Sequence, residues 1–252
     1  MNERDPSDIA ALIRSASRVT VLTGAGISTD SGIPDFRGPQ GLWTKDPAAE
    51  KLSTLTLYMS DPEVRKLAWR ARLEHPAWTA LPGAGHIALA QLERKGKVQS
   101  LITQNIDGLH QKAGSDPERL IEIHGTITRV VCMSCGDVAP MERALERVRA
   151  GEEDPACVTC TGILKSATIS FGQSLVAEDL EGARDAALGC DVFLAVGTSL
   201  TVAPVSYLPW IARDAGAAIV IVNAEPTPCD AIAEAVVRAP IGECLPAIVS
   251  QV

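Results

Sequence analysis

Four of the seven cysteines fall in two Cys-x-x-Cys pairs, Cys132 with Cys135 and Cys157 with Cys160. Each pair can present two thiolates to one ion, and two pairs complete the tetrahedron that zinc prefers. Four thiolate ligands leave no open coordination position, so such an ion stabilises structure and does not activate water. Because the other three cysteines lack partners at ligand spacing, the pattern favours one structural zinc ion over a disulfide framework.

A second candidate is the glycine-rich turn Gly24-Ala25-Gly26, which follows the apolar run Val19–Leu22. Glycines let the backbone approach a ligand closely, and a helix start after them offers free N–H groups to phosphate. Thr29 stands where a dinucleotide fingerprint has its third glycine, and no ribose-binding acid follows about 20 residues later. The turn therefore disfavours a hydride-transfer dehydrogenase, and alone it is also compatible with a purely structural role.

Short apolar runs alternate with helical patterns such as Ile87–Lys95 and Val202–Ala215. Runs that are apolar throughout suit strands covered on both faces, and their alternation with helices indicates a parallel sheet. We therefore predict an α/β fold with a Rossmann-like parallel sheet and helices on both of its faces. The predicted strands are Val19–Leu22, Val98–Thr103, Leu120–Ile123, Val192–Val196 and Ala218–Val222.

Two segments interrupt this alternation. Residues 31–56 contain glycines and prolines and show no period, which predicts a long loop with a functional role. Residues 131–165 hold the cysteine pairs around a charged helical segment, Met141–Ala150, and the sheet pattern resumes after them. We therefore predict a small zinc-binding module at 131–165, inserted into a Rossmann-like domain made of residues 1–130 and 166–252.

The composition of the chain limits the classes of molecule that it is expected to bind. The net charge is −8 and aromatic residues make up 4% of the 252 residues, so neither a nucleic-acid surface nor an anionic membrane is expected as a partner. No apolar run approaches the roughly 20 residues that span a bilayer, and the polar start lacks a signal peptide, which predicts a cytoplasmic protein. A zinc-ribbon interaction module without catalysis is the alternative from a different function class.

Three ordered segments, GAGISTDSGIPDFRG at 24–38, TQNIDGLH at 103–110 and EIHG at 122–125, resemble the sirtuin family together with the cysteine quartet. The resemblance extends over nearly the whole chain, and residues 41–44 and 168–172 are similar to the branch that contains the animal nuclear sirtuins. It implies an NAD-dependent protein lysine deacylase that acts on an acyl-lysine protein or peptide and releases nicotinamide and O-acyl-ADP-ribose. Mono-ADP-ribosyl transfer to a protein, from the same NAD site, is the alternative enzyme.

The resemblance also implies roles for three residues. His124 would be the general base, a task that suits an imidazole with an ordinary pKa near 6.5. Asn105 and Asp107 would position the nicotinamide ribose and the carboxamide, although such residues also stabilise turns. His124 stands at the end of an apolar strand, just before the predicted zinc insertion.

The same resemblance implies contacts with both substrates. Phe36 would shield the reactive ribose carbon from water, and residues 197–199 and 223–225 would hold the adenosine half of NAD. The peptide would add as a strand to Ile169, Phe171 and Gly172, next to which Gln173 replaces the usual Glu of the family. The predicted NAD-binding residues are Gly24, Ala25, Gly26, Ile27, Asp35, Phe36, Arg37, Trp43, Gln104, Asn105, Ile106, Asp107, Gly197, Thr198, Ser199, Asn223, Ala224, Glu225 and Ile241.

The acyl group can also be addressed from the sequence. The branch of the family that removes succinyl groups places a Tyr and an Arg three residues apart, to bind the distal carboxylate. Here Tyr58 is followed three residues later by Asp61, so we predict acetyl or longer apolar acyl groups over succinyl. An apolar acyl channel would be lined by Leu52, Leu55, Leu57 and Met59, which would equally be ordinary core.

Overall fold

The computed structural model describes residues 4–36, 38, 41–45 and 53–252. The strands are β1 (Val19–Thr23), β2 (Val98–Thr103), β3 (Leu120–Glu122), β4 (Gly125–Cys132), β5 (Val138–Pro140), β6 (Leu164–Thr168), β7 (Val192–Val196), β8 (Ala218–Val222) and β9 (Ala235–Val237). The α-helices are α1 (Pro6–Ser15), α2 (Leu42–Lys45), α3 (Leu55–Ser60), α4 (Pro62–Leu73), α5 (Ala84–Arg94), α6 (Leu109–Ala113), α7 (Met141–Arg149), α8 (Ala177–Leu188), α9 (Leu208–Asp214) and α10 (Ile241–Val249).

The main sheet has six strands in the order β3-β2-β1-β7-β8-β9, and all neighbours run parallel. The parallel sheet predicted from the alternating pattern is thereby confirmed, and the predicted strands agree with the observed ones to within one residue at each end. The sequence analysis did not identify β9, whose three apolar residues lie between Glu234 and Arg238 and do not stand out as a run.

Helices cover both faces of this sheet and create two separate cores. Val192 and Val196 point into a core shared with α1, α5 and α10, whereas Phe193 and Ala195 point into a core shared with α8 and α9. Alternate residues of β7 thus enter opposite cores, which is why this strand is apolar throughout.

Helix limits follow the glycines and prolines. Gly96 has φ of +74°, a left-handed conformation that ends the turn after α5 as predicted. The helix predicted over Val202–Ala215 is instead a 3-10 turn at Val205–Tyr207 followed by α9. Proline has no amide hydrogen and fits only the first turn of a helix, so Pro209 marks the start of α9.

The second sheet is small and antiparallel, with the order β5-β4-β6, and carries α7. Its strands extend beyond the predicted limits of the insertion, since β4 begins at Gly125 and β6 ends at Thr168. Trp69 of α4 is fully buried in the core of this sheet, against Met141 and Leu145. We propose that residues 131–165 form the module and that α4 completes its core.

The segment that joins β1 to α4 passes through α2 and α3. The glycine turn after β1 leads into a 3-10 helix, Ala25–Ser31, and the described part of the predicted loop holds α2 and the start of α3. Within the described residues, no helix is both long and apolar enough to cross a membrane.

Candidate active site and metal centre

Several of the predicted site residues lie within two residues of the carboxyl ends of strands. Gly24 follows β1, Gln104 follows β2, His124 stands two residues beyond β3, Gly197 follows β7 and Asn223 follows β8. In a parallel sheet these ends meet at one edge, and ligands of open α/β sheets bind outside that edge. The topology therefore assembles the candidate site from segments that are far apart in sequence.

Three glycines bring the β1 and β7 ends into backbone contact. The Gly24 N–H donates to the carbonyl of Val196 over 3.0 Å, and the Gly26 N–H donates to the carbonyl of Gly197 over 2.9 Å. A Cβ on Gly24 would lie 2.7 Å from the Gly197 oxygen, and a Cβ on Gly26 would lie 2.8 Å from the Gly197 Cα. Any side chain here would push the two loops apart, so the turn depends on glycine.

Asn105 and Asp107 belong to one hydrogen-bonded network centred on Ser28. The Asn105 amide donates to Ser28 Oγ over 3.1 Å and to the Gly24 carbonyl over 3.0 Å. The Ser28 hydroxyl donates to Asp107 Oδ2 over 2.8 Å, while Asp107 Oδ1 accepts the Leu109 N–H. Asp107 is only 6% exposed, so these bonds fix the orientation of its carboxylate.

His86 contacts this network at Ser28. The Gly83 N–H donates to His86 Nδ1 over 3.2 Å, so the ring proton resides on Nε2, which lies 3.5 Å from Ser28 Oγ. Burial lowers the pKa of His86, which keeps the ring neutral.

His124 has the tautomer that a general base requires. Its Nδ1 lies 3.1 Å from the carbonyl oxygen of Gln104, which can only accept, so Nδ1 carries the proton and Nε2 keeps a lone pair. Burial lowers the pKa of His124, and the hydrogen bond to Gln104 opposes that effect. The ring is therefore neutral and able to take a proton at neutral pH.

The predicted peptide segment is hydrogen-bonded to His124 and to the end of the predicted loop at residues 31–56. The Ile169 N–H donates to the His124 carbonyl over 2.8 Å. Phe171 forms a parallel bridge with Thr54, in which its N–H donates to the Ser53 carbonyl and its carbonyl accepts the Leu55 N–H. Gly172 has φ of +82°, and the Gln173 side chain accepts the Ser170 N–H over 3.2 Å.

The β2, β7 and β8 ends complete the predicted NAD cleft. The Gln104 amide donates to Thr198 Oγ1 over 2.8 Å, and Ser199 Oγ lies 2.8 Å from Thr201 Oγ1. After β8, the Asn223 amide donates to the Glu225 carbonyl, and Ala224 and Glu225 are exposed.

Other predicted NAD residues differ in how much of them the structure describes. Asp35 Oδ1 accepts the Gly38 N–H over 2.9 Å, and Phe36 is 38% exposed. Arg37 lies outside the described residues, and Trp43 lies in α2. The structure also describes the predicted NAD residues Ala25, Ile27, Ile106 and Ile241. The side chains of Ile27 and Ile241 pack around Gly85.

The four cysteines converge at the end of β4. Their Sγ atoms all lie within 4.8 Å of one another, with 3.5 Å between Cys132 and Cys160 and 3.8 Å between Cys135 and Cys157. Thiolates about 2.3 Å from a tetrahedral ion lie roughly 3.8 Å apart, so the geometry fits zinc. The backbone N–H groups of Cys135 and Ser134 lower the pKa of the Cys132 thiol to about 6, whereas the pKa values of Cys135 and Cys160, which are packed against other thiols, are raised.

Comparisons with known proteins agree with this arrangement. The sequence model of the Sir2 family matches residues 24–204, more than half of the chain. The chain belongs to the Sir2 family.

Close relatives of this Sir2 protein match over nearly their full length. "NAD-dependent protein deacetylase 2" of Streptomyces coelicolor is 51% identical over 91% of this chain and 95% of that protein. "NAD-dependent protein deacylase 2" of Pyrobaculum aerophilum is 40% identical over 97% of this chain and 95% of that protein. A Sir2 structure solved with a p53 peptide and NAD+ superposes with a TM-score of 0.88 at 32% identity, covering 98% of each chain.

The structure of this Sir2 protein places two further residues at the site, which the sequence analysis did not assign. Ser28 joins Asn105 to Asp107, and His86 supports Ser28, although neither was proposed as a site residue. Ser28 lies inside the segment 24–38 that carries the family resemblance, and this was the signal available in the sequence. The structure shows that its side chain is buried. The His86 side chain also accepts the Gly83 N–H at the start of α5.

A buried basic cluster also lies behind the peptide segment. The guanidinium carbon of Arg72 is 5.3 Å from the ring centre of Tyr58 and 5.2 Å from that of Trp69. The Tyr58 hydroxyl donates to the Leu164 carbonyl, and burial lowers the pKa of Lys165, next along β6, to about 8. Tyr58 and Arg72 therefore meet in space although they are not three residues apart.

Proposed function

We propose that this chain is an NAD-dependent protein lysine deacetylase that takes acyl-lysine proteins or peptides as substrates. The observation that carries the proposal is the direct contact between base, cleft and peptide segment. His124 donates its Nδ1 proton to Gln104, Gln104 donates to Thr198, and the His124 carbonyl accepts the Ile169 N–H. The names of the relatives support the same activity.

Each residue then has a defined task. Bound NAD would supply the ADP-ribosyl group that accepts the acyl group, with nicotinamide as the leaving group. His124 Nε2 takes a proton from a ribose hydroxyl, because its Nδ1 proton is fixed on Gln104. Asn105 and Asp107 hold the nicotinamide end, since Ser28 and Gly24 fix their side chains in the cleft.

Zinc has a structural role in this proposal. The four thiolates would fill every coordination position of the ion, so no site remains for water or substrate. A cytoplasmic location and the absence of a nucleic-acid partner stay predictions from composition.

The test is an acetyl-lysine peptide incubated with NAD and this protein. We expect deacetylated peptide, nicotinamide and O-acetyl-ADP-ribose in equal amounts by mass spectrometry, and none of them without NAD. Asn105→Ala should reduce nicotinamide release by about 10² or more, because it removes a group that positions the reacting substrate. The control is Gln99→Ala on β2, the strand that leads to Asn105. Among the described residues, the Gln99 amide bonds to the Thr20 hydroxyl and the Ala186 carbonyl and not to the site.

ADP-ribosyl transfer is the outcome that would replace this proposal. A protein acceptor that becomes labelled by ADP-ribose, with nicotinamide release but an intact acetyl-lysine, would assign the chain to that reaction. Absence of nicotinamide release in every mixture would exclude both enzymes.

A further inference from the structure

The loop after β8 contains the residues proposed to hold adenosine, yet little of its own backbone bonding holds it in place. The Asn223 N–H donates to the Val237 carbonyl over 3.1 Å, and the next turn is closed by the N–H groups of Cys229 and Asp230, which donate to the hydroxyl and the carbonyl of Thr227. No regular secondary structure covers residues 223–229. Another group must therefore determine the shape of this loop.

That group is Arg238, the first residue after β9. Its Nη1 donates to two loop carbonyls, Asn223 and Glu225, each over 2.7 Å. Its Nη2 donates to the carboxylate of Asp230, whose other oxygen accepts the Thr227 hydroxyl over 2.7 Å. One planar guanidinium thus joins the beginning, the middle and the end of the loop.

The arrangement also turns the loop in a defined direction. Because the Asn223 and Glu225 carbonyls point inward to Arg238, the backbone between them cannot rotate without losing a charge-assisted hydrogen bond. The Asn223 amide is a second donor to the same Glu225 carbonyl. The ion pair of Arg238 with Asp230 is mostly shielded, with 22% and 26% of the side chains exposed, so solvent competes weakly with it.

We infer that Arg238 is a positioning residue for the adenosine half of NAD, which acts by holding residues 223–225 in their binding conformation. The inference rests on the proposed function, because it takes the cleft at this sheet edge as the NAD site. Arg238 does not itself contact NAD in this account. Its loss should therefore weaken binding of the adenosine half and leave chemistry at His124 unchanged.

The experiment compares Arg238→Met, Arg238→Lys and Arg4→Met. Arg4→Met is the matched control, because Arg4 pairs with Glu234 just before β9 over 3.1 Å but bonds to no loop carbonyl. For Arg238→Met we expect KM for NAD and Kd for ADP-ribose to rise about tenfold or more, with kcat and peptide KM unchanged. Arg238→Lys should give an intermediate value, since lysine keeps the charge but not the planar fork. Arg4→Met should match the wild type.

The outcomes separate this inference from the proposed function. If the wild type binds no ADP-ribose, the proposed function fails. If the wild type binds it and Arg238→Met binds it equally well, the positioning role fails. A fall in kcat, peptide affinity and melting temperature together, without rescue by Arg238→Lys, would show a general structural role and also overturn the inference. If Arg238→Met does not fold, Asp230→Asn is measured instead, because it removes the charge that orients the guanidinium while leaving Arg238 in place. The Kd for ADP-ribose should still rise, and an unchanged Kd would overturn the inference.

Discussion

The backbone N–H of Ile169 donates to the backbone carbonyl of His124 over 2.8 Å. This bond ties the candidate base to the segment proposed to receive the peptide, so the two cannot move independently. His124 is also fixed on its other side, where Nδ1 donates to Gln104. A substrate lysine that pairs with the 169–172 segment is therefore presented to an imidazole whose orientation is already set.

Replacing His124 tests the base directly. His124→Ala should reduce turnover by about 10² or more, because the proton acceptor is lost. The backbone bond to Ile169 does not need the imidazole, so melting temperature and ADP-ribose affinity should stay near the wild-type values. Turnover close to wild type in a folded variant would reject His124 as the base.

The pH dependence of turnover follows from the environment of the same ring. Burial lowers the pKa of His124 from its usual value of 6.5, and a general base works only when neutral. The midpoint of the acid limb of kcat/KM should therefore lie below pH 6.5, so that more than half of the full activity persists at pH 6.5. The residual activity of His124→Ala should lack this limb. A wild-type limb above pH 7 would contradict the assignment.

The pH dependence of stability should report on His110. Burial lowers the pKa of His110 to about 3, while the unfolded value is 6.5. Between these values the unfolded chain binds a proton that the native state excludes, so stability rises with pH across this window and is complete above it. Between pH 8 and pH 5 this one group should cost about 2 kcal/mol of unfolding free energy.

Denaturant unfolding of the wild type and of His110→Asn at both pH values isolates that contribution. The variant cannot titrate, so its loss of stability on acidification should be smaller by that amount, whatever its absolute stability. Equal losses in the two proteins would show that His110 is not held neutral by burial.

Zinc should stabilise more than the module that binds it. Arg65 of α4 bonds to Asp154 over 2.8 Å, and Lys66 pairs with Glu153, both just before Cys157. Cys157→Ser should therefore lose the metal, lower the melting temperature by at least about 10 °C and increase hydrogen exchange in α4. Cys190→Ser is the control, because Cys190 bonds to the Ala187 carbonyl far from the cluster. A metal-free protein with unchanged melting would contradict this prediction.

Local patterns predicted much of this molecule. The strands β2, β7 and β8 were readable because apolar runs reflect burial on both faces, and the metal centre was readable because its ligands lie close in sequence. Contacts between segments that are distant in sequence could not be predicted in this way, because no local pattern indicates them. Ser28 meets Asp107 and Arg238 meets Asn223 only through the sheet topology. The three apolar residues of β9, between Glu234 and Arg238, do not stand out as a run.

The acyl preference depends on one such distant contact. The sequence places no arginine three residues after Tyr58, which predicts acetyl over succinyl. The structure nevertheless brings the Arg72 guanidinium to 5.3 Å from the Tyr58 ring, and Arg72 Nη1 is buried without a hydrogen-bond partner among the described residues. Because the Tyr58 hydroxyl is already committed to the Leu164 carbonyl, we keep the prediction of acetyl.

Competing acetyl- and succinyl-lysine forms of one peptide measure this preference. We expect kcat/KM on the acetyl form to be at least about tenfold higher, since one unsatisfied contact is worth roughly that factor. Arg72→Met keeps the volume and the packing on Trp69 but removes the charge, so the acetyl rate should change little. A succinyl preference in the wild type that disappears in Arg72→Met would overturn the prediction, and would identify the buried guanidinium as the group that binds the distal carboxylate.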